Sequence, residues 1–519
     1  MESGAGPDLA TPPGPWTRYG ARVARVVARL PAVGIADALC ALVLAVAAAA
    51  LVYATLHRVF DCDEIEHAHA AWLMSRGLRP FYDFFECHPP FLWYPHALLF
   101  RIFGDSYALL FVFRFITLIG QIAFLVGVIK NVTLSLRRFP TPVTLPWWVV
   151  ALAAVVMVSH PDNFDYPFEF RIDAWPNAVM LLAIYRYRVR RSPAFRSAVE
   201  LAALSTAAVL CSPKLMVFAG LFGLASIATD DRRSLRLAGM AAGADGVLAL
   251  GVGTLLLAGL SPISVYRVVL GYHHVLNSQG GFRHGLYDIV VGEQTLGRNV
   301  VLASIVAWVL LAGRRIYRMP FEIAVIAFLV LQLALVEFPY KQYIAPWFML
   351  ALAVVPYLEV LARRSRLLHA FLLAGAFLYA GSSMVTAYRH YSERHDVVED
   401  FRARVDLAAL IPRRSYIVGT IETMPLFRRT SFFQLANSLA GNNYDGARVM
   451  QGLQVSPFSE KFTEESARQQ LEANPPDMII ISATYPSYQR RALDAYIARH
   501  ATEFVRQQAT YSTILLRRR

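Results

Sequence analysis

Residues 38–56, ALCALVLAVAAAALVYATL, run for nineteen positions without a charged side chain. At about 1.5 Å of rise per residue, a helix of that length comes close to crossing roughly 30 Å of hydrocarbon. It is apolar on every face, so no single packing surface in water would hide it. Similar runs recur down the chain, and only 17% of the residues are charged, against about 25% in an ordinary soluble domain. These features restrict the fold to a polytopic α-helical membrane protein. Arg18, Arg22, Arg25 and Arg29 precede the first run. That basic stretch is too long for the n-region of a cleaved leader, so the run is expected to be a retained span.

The formal net charge is +13, a value that on its own would suggest nucleic acid. The placement of the charges excludes that. They sit in short clusters between apolar runs, namely KNVTLSLRR, RYRVRRSPAFR, DDRRSLR, RRIYR and RRSR, as positive-inside loops do. All five fall on one side if PPFLWYPHALLFRIFG (89–104) lies at the interface and does not cross. Eleven spans are then expected, near 34–56, 107–130, 145–160, 174–188, 195–211, 214–229, 236–259, 298–313, 319–336, 344–361 and 367–387. The expected organisation is a cytoplasmic tail over 1–33 and a transmembrane module over 34–387. Outer loops fall at 57–106, 161–173, 260–297 and 337–343, with a turn at 212–213. Beyond residue 388 the pattern becomes that of a soluble α/β domain: YIVGT, helical TEESARQQLEAN, the strand MIIIS, helical YQRRALDAYIARH and the strand YSTILL.

The outer loops hold most of the reactive side chains. DCDEIEHAHAAW (61–72) packs Asp61, Asp63, Glu64, Glu66, His67 and His69 into nine positions. FYDFFECHPPFLWY adds Asp83, Glu86 and His88, FEFRIDAWPN adds Arg171 and Asp173, and CSPKL adds Lys214. VEFPYKQYIAP carries Tyr340, Lys341 and Tyr343, and the long loop carries His273, His274, Arg283 and His284. Span interiors are nearly bare, with Arg114, Glu200 and Asp245 as exceptions. A transporter keeps ionisable groups near the midplane. Their concentration at one face suits an enzyme that works on a lipid-linked substrate. Plainer roles stand beside these. Asp63 and Glu64 also complement a helix dipole, Arg171 and Lys214 also suit snorkelling, and FLWY also suits an aromatic belt. Asp63 or Glu64 shares a helical face with His67 and so offers half of a metal site, but spacing fixes no third ligand.

The acidic pair after the first span, RGLRPFYDFFECHPPFLWY, RID and the late PYKQY together resemble the GT-C glycosyltransferases. The likeness is to the branch with protein O-mannosyltransferases, lipid A aminoarabinose transferases and rhizobial galacturonosyltransferases, and it covers roughly residues 34 to 220. The resemblance implies inverting transfer of a sugar from a polyprenyl-phosphate donor to a lipid, glycan or protein acceptor. It places the reaction at the periplasmic face of a bacterial inner membrane. No cofactor is required, with a divalent cation as the alternative, and no nucleic acid takes part. Asp63, Glu64 and Asp173 match the catalytic acids. Arg171, Lys214, Lys341 and His88 fall to the donor phosphate, and Tyr340, Tyr343, Glu66 and His67 to the substrates. Where many members have Lys-Pro-Pro, this chain has His88-Pro89-Pro90.

Chemistry gives the same assignments a reason. A carboxylate takes the proton of an attacking hydroxyl, cations neutralise the departing phosphate, and FYDFF with FLWY would line an apolar groove for the prenyl chain. A lipid or polysaccharide transporter, or an assembly subunit, is the rival reading. Cys62 and Cys87 bracket the acidic loop, either as a disulfide or as two packed thiols.

Overall fold

The structure, a computed structural model, describes residues 35–58, 60, 62–86, 88–137, 145, 149–151, 169–171, 173–189, 194–228, 232–271, 295–313, 316, 319–335, 354–363, 365–392, 415–418, 426–430, 463–481, 487–508 and 513–518. The apolar runs form helices: α1 Ile35–His57, then α2 Cys62–Ser75 and α3 Trp93–Phe103 in the segment that follows it, and α4 Ala108–Arg137. They continue as α5 Ala174–Val189, α6 Ala194–Cys211, α7 Leu215–Ala228, α8 Arg233–Leu257, the short α9 Pro262–Tyr266, α10 Thr295–Ala312, α11 Pro320–Leu335, α12 Val355–Ala362 and α13 Arg366–Ser392. Among the described residues, α4, α6 and α8 are long and apolar enough to cross a membrane, and shorter apolar stretches lie at 41–57, 215–228, 303–312 and 366–375. The expected span at 145–160 falls almost wholly outside the described residues, as does the first half of 344–361.

The segment 89–104 behaves as its length requires. A 3₁₀ turn over Pro90–Leu92 leads into the eleven residues of α3, which rise about 16 Å and so cannot cross the hydrocarbon. Trp93, His96, Ala97 and Phe100 face inward while Leu98, Ile102 and Phe103 are exposed, the pattern of an interfacial helix. Elsewhere backbones come close. On α8, a Cβ at Gly239 would stand 2.6 Å from the Phe195 carbonyl oxygen of α6, and one at Gly243 would stand 2.3 Å from that of Val199. The G-M-A-A-G spacing is therefore what lets α8 seat on α6.

Near the C-terminus a five-stranded sheet forms from β1 Tyr416–Val418, β2 Arg429–Thr430, β3 Met478–Ile481, β4 Phe504–Gln508 and β5 Thr513–Arg517, in the order β2-β1-β3-β5-β4. β1 runs parallel to β2 and β3, and β5 runs antiparallel to β3 and β4. Two helices accompany it: α14 Glu464–Ala473, whose Thr463 side chain accepts from Ser466 N at 3.1 Å as an N-cap, and α15 Ser487–Arg499. The sequence reading missed β4, because FVRQQ carries too few apolar residues to stand out. Its pairing with β5 supplies the stability that its composition does not.

This sheet is not separate from the α2–α3 segment. Phe427 packs its ring against Trp72, Phe100 and Tyr107 at 6.1, 6.0 and 4.8 Å between centroids. His69 Nε2 on α2 lies 3.0 Å from the Thr430 hydroxyl of β2. Phe427 has φ +67°, rare for a bulky residue, and is held there by burial to 1% exposure. One apolar core joins α2, α3 and the sheet.

Candidate active site

Consecutive residues on a helix point about 100° apart, so the neighbouring acids of α2 have different surroundings. Glu64 is 1% exposed. Its Oε1 accepts from Arg114 Nε at 2.8 Å and its Oε2 from Nη2 at 2.6 Å. The Phe170 backbone N–H donates to Oε1 as well, at 2.9 Å. Arg114, from α4, also donates through Nη1 to the carbonyl oxygens of Thr55 and Arg58 at 3.1 and 2.8 Å. It thereby caps the end of α1 while holding the start of α2. Asp63, by contrast, keeps 34% of its side chain exposed and pairs with Arg171 Nη1. The remaining side of that guanidinium is fixed: Nε and Nη2 both donate to Glu169 Oε2, at 2.9 and 2.6 Å.

Asp173 heads α5 and is held from the turn between α6 and α7. Its Oδ1 accepts from Ser212 Oγ at 2.6 Å and its Oδ2 faces Lys214 Nζ at 3.2 Å. Burial alone would raise its carboxyl; the Lys214 charge and the Ser212 hydrogen bond outweigh that and hold it below the ordinary carboxylate range.

His67, 3% exposed, sits among Trp93, His88 and Phe170 at ring distances of 4.8, 5.2 and 5.9 Å. Burial, then the fields of His88, Arg171 and Lys214, keep its imidazole neutral well below the usual histidine range. His88 is oriented by Glu86, whose Oε1 lies 2.8 Å from His88 Nδ1 and accepts from its backbone N–H at 3.0 Å. Glu66, His67 and His88 each bring one ligand-type atom into a group within 4.8 Å of one another.

The sequence-predicted residues therefore meet in two pairs and a trio: Asp63 with Arg171, Asp173 with Lys214, and Glu66 with His67 and His88. Tyr340, Lys341 and Tyr343 lie outside the described residues, as do Cys87 and the side chain of Cys62. Glu169, the Arg114 clamp, Glu86 as the orienter of His88, and Ser212 were not anticipated. Glu169 stands two residues before Arg171 in the same FEFRID stretch, and that was its only local signal. One expectation is corrected. Phe81, Phe84, Phe85 and Trp93 do not line an open apolar groove; they are packed into the core. Tyr94 does border a cavity of about 400 Å³, with Met74, Leu98, Leu260, Arg79 and Arg101.

No family model matches the chain, and no curated protein matches it by sequence. Solved structures do. The chain is similar to ArnT from Cupriavidus metallidurans bound to undecaprenyl phosphate, with a TM-score of 0.53 and 13% identity, over 92% of this chain and 98% of that one. It is also similar to the apo state of the same protein, with a TM-score of 0.50 and 13% identity, over 93% and 98%. The likeness runs through nearly the whole of both chains and shows a shared architecture, the GT-C fold expected from the outer-loop motifs.

Proposed function

We propose that this chain is an inverting glycosyltransferase that moves a sugar from a polyprenyl-phosphate donor to a lipid, glycan or protein acceptor at the periplasmic face of a bacterial inner membrane. The eleven-span arrangement, with the region after residue 388 also periplasmic, belongs to this reading. Undecaprenyl phosphate, bound in the ArnT neighbour, supports the donor class. The observation that carries the reading is the contrast between two adjacent acids: Asp63 reaches solvent beside a cation, while Glu64 is sealed against Arg114.

In this mechanism Asp63 takes the proton of the acceptor hydroxyl as its oxygen bonds to the anomeric carbon. The bond from that carbon to the phosphate oxygen breaks on the opposite face, and Arg171 and Lys214 neutralise the leaving prenyl phosphate. We assign Lys341 and His88 to the phosphate as well, and Glu66, His67, Tyr340 and Tyr343 to the sugar and acceptor, with Tyr340, Lys341 and Tyr343 assigned from the sequence resemblance alone. Asp173 fixes Lys214 and borders the acceptor. Glu64 holds α2 in place for Asp63. The cavity beside Tyr94, walled by Met74, Leu98 and Leu260 with Arg79 and Arg101, suits a lipid chain beside an anionic head.

The test is direct. Full-length protein in detergent is given polyprenyl-phosphate sugars of several sugar classes with envelope lipid extract as acceptor. Release of prenyl phosphate with a glycosylated product supports the reading. No release from any donor, with substrate movement across reconstituted vesicles, would establish the transporter in its place.

A further inference from the structure

We propose that Glu66, His67 and His88 bind one divalent transition-metal ion of the zinc class and so clamp the His88-Pro89-Pro90 turn onto α2. The site stands whether or not the chain transfers sugar.

Four observations converge on it. The first is proximity: one candidate donor atom from each residue lies within 4.8 Å of the others. Tetrahedral zinc, with bonds of about 2.0–2.2 Å, sets its ligands about 3.3 Å apart, so small side-chain rotations close the shell. The second is a buried ring nitrogen. His67 Nδ1 has no hydrogen-bond partner, although the residue is only 3% exposed. Its neighbour Phe170 presents only a ring, and the Trp93 indole N–H, also without a partner, makes no hydrogen bond to it.

The third is the pairing of His88 with Glu86. Nδ1–H donated to a carboxylate selects the tautomer whose lone pair is on Nε2, and carboxylate-oriented histidines of this kind are the usual support for a metal-binding imidazole. Glu86 is fully buried, so the ring is held and not merely tethered. The fourth is donor chemistry. Two imidazoles and one carboxylate suit Zn(II), Co(II) or Ni(II), whereas Mg(II) and Ca(II) favour all-oxygen shells. The acids that sequence spacing offered to His67 are committed elsewhere, Asp63 to Arg171 and Glu64 to Arg114. The third ligand is instead Glu66, with His88 arriving from the next loop.

Three protein ligands leave a fourth position for water or an anionic oxygen. The ion would stabilise the junction of two outer-loop segments and place a positive charge beside the cluster that holds Arg171 and Lys214.

The experiment uses full-length protein in detergent, without a histidine tag, stripped with chelator and then dialysed against zinc chloride. Elemental analysis should give one zinc per chain in the wild type, and Co(II) should produce the visible absorption of a tetrahedral site. His67→Gln and His88→Gln should each lose both signals. Glu86→Gln, which keeps every ligand, should bind about 10- to 100-fold more weakly. Gel filtration and far-UV circular dichroism of the metal-free proteins check folding. If a histidine variant fails to fold, the Glu86→Gln affinity and the wild-type cobalt spectrum decide. A wild type that retains no metal overturns the proposal, and so does equal metal in the wild type and the ligand variants.

Discussion

Arg114 reaches from the second turn of α4 to grip both carboxylate oxygens of Glu64, fifty residues earlier in the chain, and neither side chain is more than 1% exposed. Removing one partner of such a pair strands a buried charge, which costs about 3–5 kcal/mol. Arg114→Ala and Glu64→Ala are therefore expected to lower the melting temperature of the detergent-purified protein sharply. The double replacement Arg114→Met with Glu64→Leu should cost much less than the two single losses added together. Additive losses would show that the pair does not act as a unit.

Asp63 and Glu64 should separate in kinetics. Asp63→Asn keeps the shape but cannot take a proton, so turnover should fall by about 100-fold or more while the donor still binds and the melting temperature barely moves. Glu64→Gln should do the reverse, lowering stability first. Steady-state rates on folded protein, read beside a donor-binding titration, distinguish the two patterns. A nearly silent Asp63→Asn would remove it as the base.

Asp173 yields a pH prediction. Its carboxyl lies below the ordinary 3.8 because Lys214 and Ser212 overcome the effect of burial. A depressed carboxyl stabilises the fold above its unfolded value, and that contribution is lost as pH falls through the lower folded value. The wild type should therefore show no loss from this group down to about pH 4. In Lys214→Met, burial meets less opposition and the carboxyl rises, so the acid limb of a pH–melting profile should move to higher pH. Superimposable acid limbs would argue against the Asp173–Lys214 pair.

Phe427 joins the C-terminal sheet to the outer loop through Trp72, Phe100 and Tyr107. Phe427→Ala empties a buried site, with a cost of about 3–5 kcal/mol, and the Cβ that alanine keeps leaves the positive φ unrelieved. The expected result is faster proteolytic release of the region after residue 393, while the helices of the membrane module stay resistant. Unchanged cleavage would mean that the remaining contacts suffice.

Orientation can be read by labelling. In an otherwise cysteine-free chain, Thr133→Cys near the end of α4 should react from the cytoplasmic side and Asn163→Cys from the periplasmic side. Labelling of Thr133→Cys from the periplasm would reverse the proposed topology.

Much of this was legible from local pattern. Apolar runs gave α4, α6 and α8, and the short, polar-marked 89–104 gave the short helix α3. Asp63, Arg171, Asp173 and Lys214 were singled out because each stands in a loop beside an expected span and Asp63 and Asp173 match the catalytic acids of the family that the motifs resemble. What pattern alone could not give was partnership. Asp63 and Glu64 look alike in sequence, and only the 100° step between them sends one toward Arg171 and the other toward Arg114. Glu169 was passed over because its value lies in converging on Arg171, a relation that appears only once the loop is folded. β4 escaped because its stability comes from pairing with β5 and not from its own composition.

The hold of Asp63 and Glu169 on Arg171, and of Asp173 on Lys214, bears on life in a bilayer. Bare cations at that depth would be coated at once by the phosphates of ordinary phospholipids, which vastly outnumber any scarce carrier lipid. On the proposed reading, an incoming headgroup must exchange with a resident carboxylate. Binding becomes a competition, and the protein's own acids set the threshold. A phospholipid phosphate and the proposed donor's phosphodiester each carry one negative charge, so the sugar that the donor also offers to the loop supplies the contacts that would decide between them. If the site takes that donor, the resident acids act as a filter against the bilayer's own headgroups.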